Sequence, residues 1–180
     1  IPADHPERLR AASSMRRGTF LADLFRAKVG IGICGTHGKT TTSSMLSDIL
    51  LAAGMDPTVI LGGVSPRLGS NFHMGQSDWL VAELDESDGS FLEAPLHIAV
   101  ITNIESDHLQ HYGNDDRLMD AFRQFANGVA KQGCLIANMD DPNVRQLSDR
   151  REGAVVGFAC WADADLQARE RRCEVGQQSF

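Results

Sequence analysis

Residues 35 to 42 read Gly-Thr-His-Gly-Lys-Thr-Thr-Thr, a run whose residue types suit the holding of phosphate. Glycines let backbone N–H groups curl towards phosphate oxygens, and a helix that begins here turns its positive end to the same anion. Lys39 has the reach for β and γ phosphates, and the Thr40 hydroxyl is a hard oxygen ligand suited to Mg2+. The strict pattern G-x-x-x-x-G-K-[ST] wants glycine at position 33, where this chain has Ile33, so the first turn is a variant. The bland alternative is a glycine hinge with a surface lysine. A β-favouring run before the motif and a helical pattern after it favour the nucleotide site.

Two further polar segments follow apolar runs. Glu83-Leu84-Asp85-Glu86-Ser87-Asp88 packs four carboxylates into six residues directly after Trp79 to Ala82. A carboxylate there could hold Mg2+, and spacing alone does not choose among Glu83, Asp85, Glu86 and Asp88. Thr102-Asn103-Ile104-Glu105-Ser106-Asp107-His108 follows the run His97 to Thr102. A lone histidine is usually structural or exposed, but His108 could ligate a second cation or orient an attacking carboxylate.

These segments share a site only if the elements before them lie side by side. Val29 to Cys34, Thr58 to Leu61, Trp79 to Ala82, His97 to Thr102 and Cys134 to Ala137 read as short buried strands. Met45, Leu46, Ile49, Leu50 and Ala53 recur at helical spacing up to Gly54. Leu118, Phe122, Phe125 and Val129 mark one face of a second helix, with Arg117, Asp120 and Arg123 opposite. Strands alternating with helices predict a doubly wound, mostly parallel α/β sheet with helices on both faces. In such a sheet all three polar segments open at one edge.

Thr19 to Arg26 is expected to form a short helix within a connecting segment of residues 1 to 27. The domain proper is expected over 28 to 180, and the tail from Asp163 carries no closing element. Gly62-Gly63 reads as a turn, with a backbone approach to substrate as the alternative, and Arg67, Asn71 and His73 as surface residues of a polar loop. Asp140-Asp141-Pro142 looks like a helix start, with Asp141 as cap.

The chain has 180 residues, 42% hydrophobic and 23% charged. At this length folding buries roughly 70% of the unfolded surface, so one core suffices. A net charge of −7 disfavours a broad nucleic-acid or anionic-membrane footprint. Aliphatic stretches such as Ile49 to Ala53 fall far short of the ~20 residues of a membrane span. Cys34, Cys134, Cys160 and Cys173 form no C-x-x-C pair and read as reduced thiols. The start, Ile-Pro-Ala-Asp-His-Pro, has no signal-peptide character and no initiator Met, so the chain is expected to be an excerpt.

Taken in order and spacing, GTHGKTT, then Glu83 to Phe91 (ELDESDGSF), then Thr102 to His108 (TNIESDH) resemble the central ATPase domain of the Mur ligases. The similarity runs from about Gly18 to Phe158. The GTHGKTT and DESDGSF forms are most similar to the member that joins L-alanine to UDP-N-acetylmuramate. Leu84 stands where the family often has alanine.

The resemblance implies an ATP- and Mg2+-dependent ligase of the bacterial cytoplasm that forms an amide through an acyl phosphate, releasing ADP and phosphate. It makes Lys39 the phosphate lysine within a nucleotide loop of Gly35, Thr36, His37, Gly38, Lys39, Thr40 and Thr41. Thr40 and Glu83 would hold the first Mg2+, and His108 would ligate or organise a second. Asn103 matches the family asparagine at the strand end, with Asp85, Glu86 and Asp88 in support. It also implies a three-domain enzyme of which this chain is the middle, ending before the family's later histidine and asparagine motif. Such a fragment would bind Mg-ATP weakly and not ligate. A murein-tripeptide ligase, a folylpolyglutamate synthase and a non-catalytic P-loop module or switch remain as alternatives.

Overall fold

A computed structural model describes residues 17–87, 89–107, 109–170, 172–174 and 177–179. Helix α1 (Arg17–Ala27) leads into strand β1 (Val29–Cys34) and helix α2 (Lys39–Ala52). Strands β2 (Thr58–Ser65), β3 (Ser70–His73) and β4 (Trp79–Glu83) precede a 3-10 turn at Ser90–Glu93 and β5 (Ile98–Ile101). Helices α3 (Leu109–Tyr112) and α4 (Asp115–Asn127), strand β6 (Cys134–Asn138), helix α5 (Pro142–Ser148) and strands β7 (Ala154–Ala159) and β8 (Leu166–Gln167) follow. A separate antiparallel pair, β9 (Arg172–Glu174) and β10 (Gln177–Ser179), ends the described chain.

The sheet runs β3-β2-β4-β1-β5-β6-β7-β8, parallel throughout except where β3 pairs antiparallel with β2. Side chains alternate across it, as the pleat requires. Ile31, Ile33, Val81 and Val100 point to one face, where Leu46 and Leu50 of α2 cover them. Cys34, Leu80, Ala82, Ala99 and Ile101 point to the other, beneath Phe25 of α1, Phe122 and Phe125 of α4 and Val144 of α5. The doubly wound arrangement expected from the alternation is therefore present. Phe91 joins the second cluster, edge-on to Phe122 at 5.5 Å and stacked with Phe125 at 5.1 Å.

Several local readings hold. The predicted Thr19 to Arg26 helix lies within α1, and Asp141 caps α5 by accepting from the Asn143 and Val144 amides, with Pro142 opening the helix. The polar face of α4 carries an Arg123–Asp120 ion pair.

Other readings are corrected. Gly62-Gly63 is not a turn but lies inside β2, which runs past the expected Leu61 to Ser65. The polar segment after it contains β3, and His73 there is fixed at 2.8 Å to Asp56. The tail from Asp163 is not without further elements, since β8 and the β9–β10 pair lie in it, and β7 before it was not expected either. β7 gives little sequence signal, because Val155 and Val156 are flanked by Gly153, Ala154 and Gly157. Helix α2 sets Ser43 and Ser47, both fully buried, at its innermost positions, while Met45 and Ile49 stand 56% and 65% exposed. Among the described residues no helix is long and apolar enough to cross a membrane.

Candidate functional site

Strands β4, β1 and β5 are neighbours at the middle of the sheet, and their carboxyl ends carry the three polar segments. The chain leaves β1 towards β2 on one side and β5 towards β6 on the other, so the crevice between β1 and β5 is a topological switch point.

Ile33 explains the variant first turn. It is fully buried in β1 and belongs to the core against α2, so the chain cannot leave the strand there. The turn starts at Gly35, whose φ of 129° suits glycine and whose absent Cβ would stand 2.2 Å from the Thr102 hydroxyl. Gly38, at φ 81°, makes the second bend and becomes the N-cap of α2.

The loop is held from the β5 side. Asn103 clasps His37 at both ends of its peptide. Its Oδ1 accepts from the His37 amide at 2.7 Å and its Nδ2 donates to the His37 carbonyl at 3.0 Å. The Thr102 hydroxyl donates to the same carbonyl at 2.7 Å, and the Thr36 hydroxyl accepts from the Glu105 amide at 2.9 Å. The His37 ring stands 3.5 Å from the Glu105 carboxylate on an exposed rim.

Lys39 opens α2 and folds back over the loop, donating to the carbonyls of Gly35 at 2.7 Å and Thr36 at 3.3 Å. It also pairs with the buried Glu86 carboxylate at 3.1 Å. One residue on, the Thr40 hydroxyl donates to Glu83 Oε2 at 2.8 Å, and the Gly62 amide donates to that same oxygen at 2.8 Å. Glu83 ends β4 and is 8% exposed. The Tyr112 hydroxyl, from α3, donates to the Glu86 carbonyl and ties the acidic segment to the segment after β5.

Cys34 lies beneath the loop. Burial pushes its thiol well above the ordinary range, the Glu86 carboxylate adds to that, and Lys39 opposes it. Such a thiol is neutral and inert as a nucleophile.

Lys39, Thr40 and Glu83 therefore come together, with Gly35 to Gly38 and Asn103 around them. Thr41 lies beside them in the first turn of α2. Asp85 faces its own turn, accepting from the Ser87 amide at 2.9 Å. His108 and Asp88 lie outside the described residues. Reading by motif missed Tyr112 and gave no role to Gly62 or Thr102, which act through one amide and one hydroxyl. Paired glycines inside a β-favouring run were the available signal for Gly62, since they mark close approach of another group.

A family model of the Mur ligase middle domain matches residues 33–180. The chain belongs to this family. It is 41% identical to the UDP-N-acetylmuramate–L-alanine ligase of Aquifex aeolicus over 184 residues, covering 100% of this chain and 40% of that protein. The ligase of the same name from Chelativorans sp. is 45% identical over 185 residues, again 100% of this chain and 40% of the relative. The crystal structure of UDP-N-acetylmuramate-alanine ligase MurC from Thermotoga maritima superposes with a TM-score of 0.81 at 29% identity, covering 99% of this chain and 41% of that one. This Mur ligase middle domain thus spans 40% of the length of the curated relatives it matches.

Two hard oxygen donors in contact at the rim of the Gly35–Gly38 loop, Thr40 Oγ1 and Glu83 Oε2, fit Mg2+. That ion takes few protein oxygens and completes its shell with water and phosphate. Among the described residues no group of three or more His, Cys, Asp or Glu side chains gathers as a cage.

Proposed function

We propose that this Mur ligase middle domain is the ATP-binding part of a ligase that joins L-alanine to UDP-N-acetylmuramate. The observation that carries the reading is the meeting of Lys39, Thr40 and Glu83 at one phosphate loop, although the outermost two are 44 positions apart. Identity above 40% to ligases of that name supports the choice of substrates.

In this reading the loop amides and the positive end of α2 bind the β and γ phosphates of ATP, and Lys39 balances charge that builds on them during transfer. Thr40 and Glu83 hold Mg2+, which when bound neutralises phosphate charge. His108 follows the β5 end and serves a second cation or orients the substrate carboxylate. Asn103 keeps the loop in its phosphate-ready shape through His37.

The muramate carboxylate attacks the γ phosphorus, forming a C–O–P linkage as the bond to ADP breaks. The L-alanine amine then adds to the acyl carbon, the C–O bond to phosphate breaks, and the proton lost by the amine leaves with the phosphate. A carboxylate is a poor electrophile towards an amine, and its acyl phosphate is a good one, which is why ATP is needed. Groups that bind the UDP portion and the amino acid come from the rest of a longer protein.

The test is phosphate release by the full-length gene product with Mg-ATP, UDP-N-acetylmuramate and each amino acid in turn. Specific stimulation by L-alanine, with ADP as co-product, is expected. Stimulation only by tripeptide or by folate with glutamate, turnover without any acceptor, or release of AMP and pyrophosphate would each overturn the assignment.

A further inference from the structure

An ammonium group has three N–H donors and no acceptor. In this structure Lys39 Nζ meets three acceptors: the Gly35 carbonyl at 2.7 Å, the Thr36 carbonyl at 3.3 Å and the Glu86 carboxylate at 3.1 Å. Its donor capacity is filled before any nucleotide arrives. A phosphate oxygen can bond to Lys39 only if one of these partners lets go.

Glu86 is the partner that can. The two carbonyls belong to the loop itself and move only if the phosphate cradle is remade. Glu86 comes from the segment after β4, and its carboxylate is an anion beside the ammonium that a phosphate would use. It is 1% exposed, and the Lys39 side chain is 14% exposed, so water screens the pair poorly. Keeping Glu86 in place when a triphosphate enters would set two anions against each other at short range.

We propose that Glu86 is an internal stand-in for nucleotide phosphate, a latch that holds Lys39 when the site is empty and must be displaced for nucleotide to bind. It is a positioning residue acting through Lys39. Nucleotide affinity is lowered by the share of molecules in which the latch is closed. Tyr112, bonded to the Glu86 carbonyl, ties that backbone to α3, so the displacement proposed is of the carboxylate and not of the segment. The inference rests on the reading of residues 35 to 42 as a phosphate loop.

Calorimetric titration of the 180-residue chain and its Glu86→Gln variant with Mg-ATP, Mg-ADP and AMP tests it. The variant keeps the shape of the side chain and removes its charge. It should bind Mg-ATP about tenfold more tightly, because an opposing anion and a competing partner are both removed. Mg-ADP should gain in the same direction, and AMP, which lacks the phosphates Lys39 reaches, should not change. A purely structural role would weaken all three ligands alike. Equal or weaker Mg-ATP binding by a variant with unchanged melting temperature overturns the latch and leaves the phosphate loop standing. No nucleotide binding by either protein overturns both. Should the variant not fold, a crystal structure of the parent with a non-hydrolysable Mg-ATP analogue decides. Lys39 and Glu86 out of contact supports the latch, and a retained pair refutes it.

Discussion

Gly62 donates its main-chain N–H to Glu83 at 2.8 Å, on the carboxylate oxygen that also accepts from Thr40. Strand β2 thus takes part in the site through a residue without a side chain. The lack of a side chain is what the contact requires, since a Cβ on Gly62 would lie 2.5 Å from Glu83 Oε1.

Replacing Gly62 with alanine should therefore push the Glu83 carboxylate away from Thr40. The clash should destabilise the fold by about 1–3 kcal/mol, as overpacking in a dense site does. Titration of ATP with and without Mg2+ should find the Mg2+-dependent gain in affinity largely lost, while Mg2+-free binding stays near the parent value. A variant whose Mg2+ dependence is unchanged would show that Glu83 does not hold the ion.

Asn103→Ala removes both bonds that clasp the His37 peptide. Each is worth about 0.5–1.5 kcal/mol, so thermal or denaturant unfolding should register a loss of about 1–3 kcal/mol. ATP affinity should fall about tenfold, because the loop must then be ordered on binding. An Asn103→Asp variant retains the acceptor for the amide and places charge near the carbonyl, so it should fare no better.

Asp140 organises the turn after β7. Burial raises its carboxyl, but the amides of Cys160, Ala162 and Trp161 together with Arg145 outweigh that and hold it below its ordinary value. With the folded value depressed, this stabilisation is complete above the unfolded aspartate value, about pH 4, and is lost as pH falls through the folded value. Asp140→Asn should be less stable than the parent at pH 7, and urea unfolding curves of the two should converge as pH drops below about 4. A gap that persists to the lowest pH would mean that packing rather than charge is lost.

Cys34 should resist alkylation. Its thiol is fully buried and its ionisation is suppressed, whereas Cys134 and Cys160 are partly exposed. With iodoacetamide at pH 8, peptide mass spectrometry should find Cys34 modified about a hundredfold more slowly than either, and at comparable rates only in denaturant.

Much of the architecture was legible because the pattern of apolar runs is local. Ile31 and Ile33 against Cys34, or Val81 against Leu80 and Ala82, show the pleat directly. The α4 face was legible for the same reason, as Leu118, Phe122 and Phe125 fall on one side and are all buried. Where the pattern was weak the reading failed. Paired glycines concealed the continuation of β2, and Val155 and Val156 alone did not announce β7. Helix α2 misled in another way. Its periodic Met45 and Ile49 are exposed, because serines at 43 and 47 let the helix approach the sheet closely.

By itself the sequence determined which groups could do chemistry and at which strand ends they would sit, since both follow from residue type and short-range periodicity. Spacing could not choose among Glu83, Asp85, Glu86 and Asp88, because consecutive residues differ in direction, and direction depends on where neighbouring strands lie; only the family resemblance singled out Glu83. Only the parallel packing of β2, β4 and β1 set Glu83 against Thr40 and Gly62, turned Glu86 towards Lys39, and left Asp85 to its own loop. The Glu83 and Glu86 contacts join residues far apart in the chain, and no local pattern encodes them.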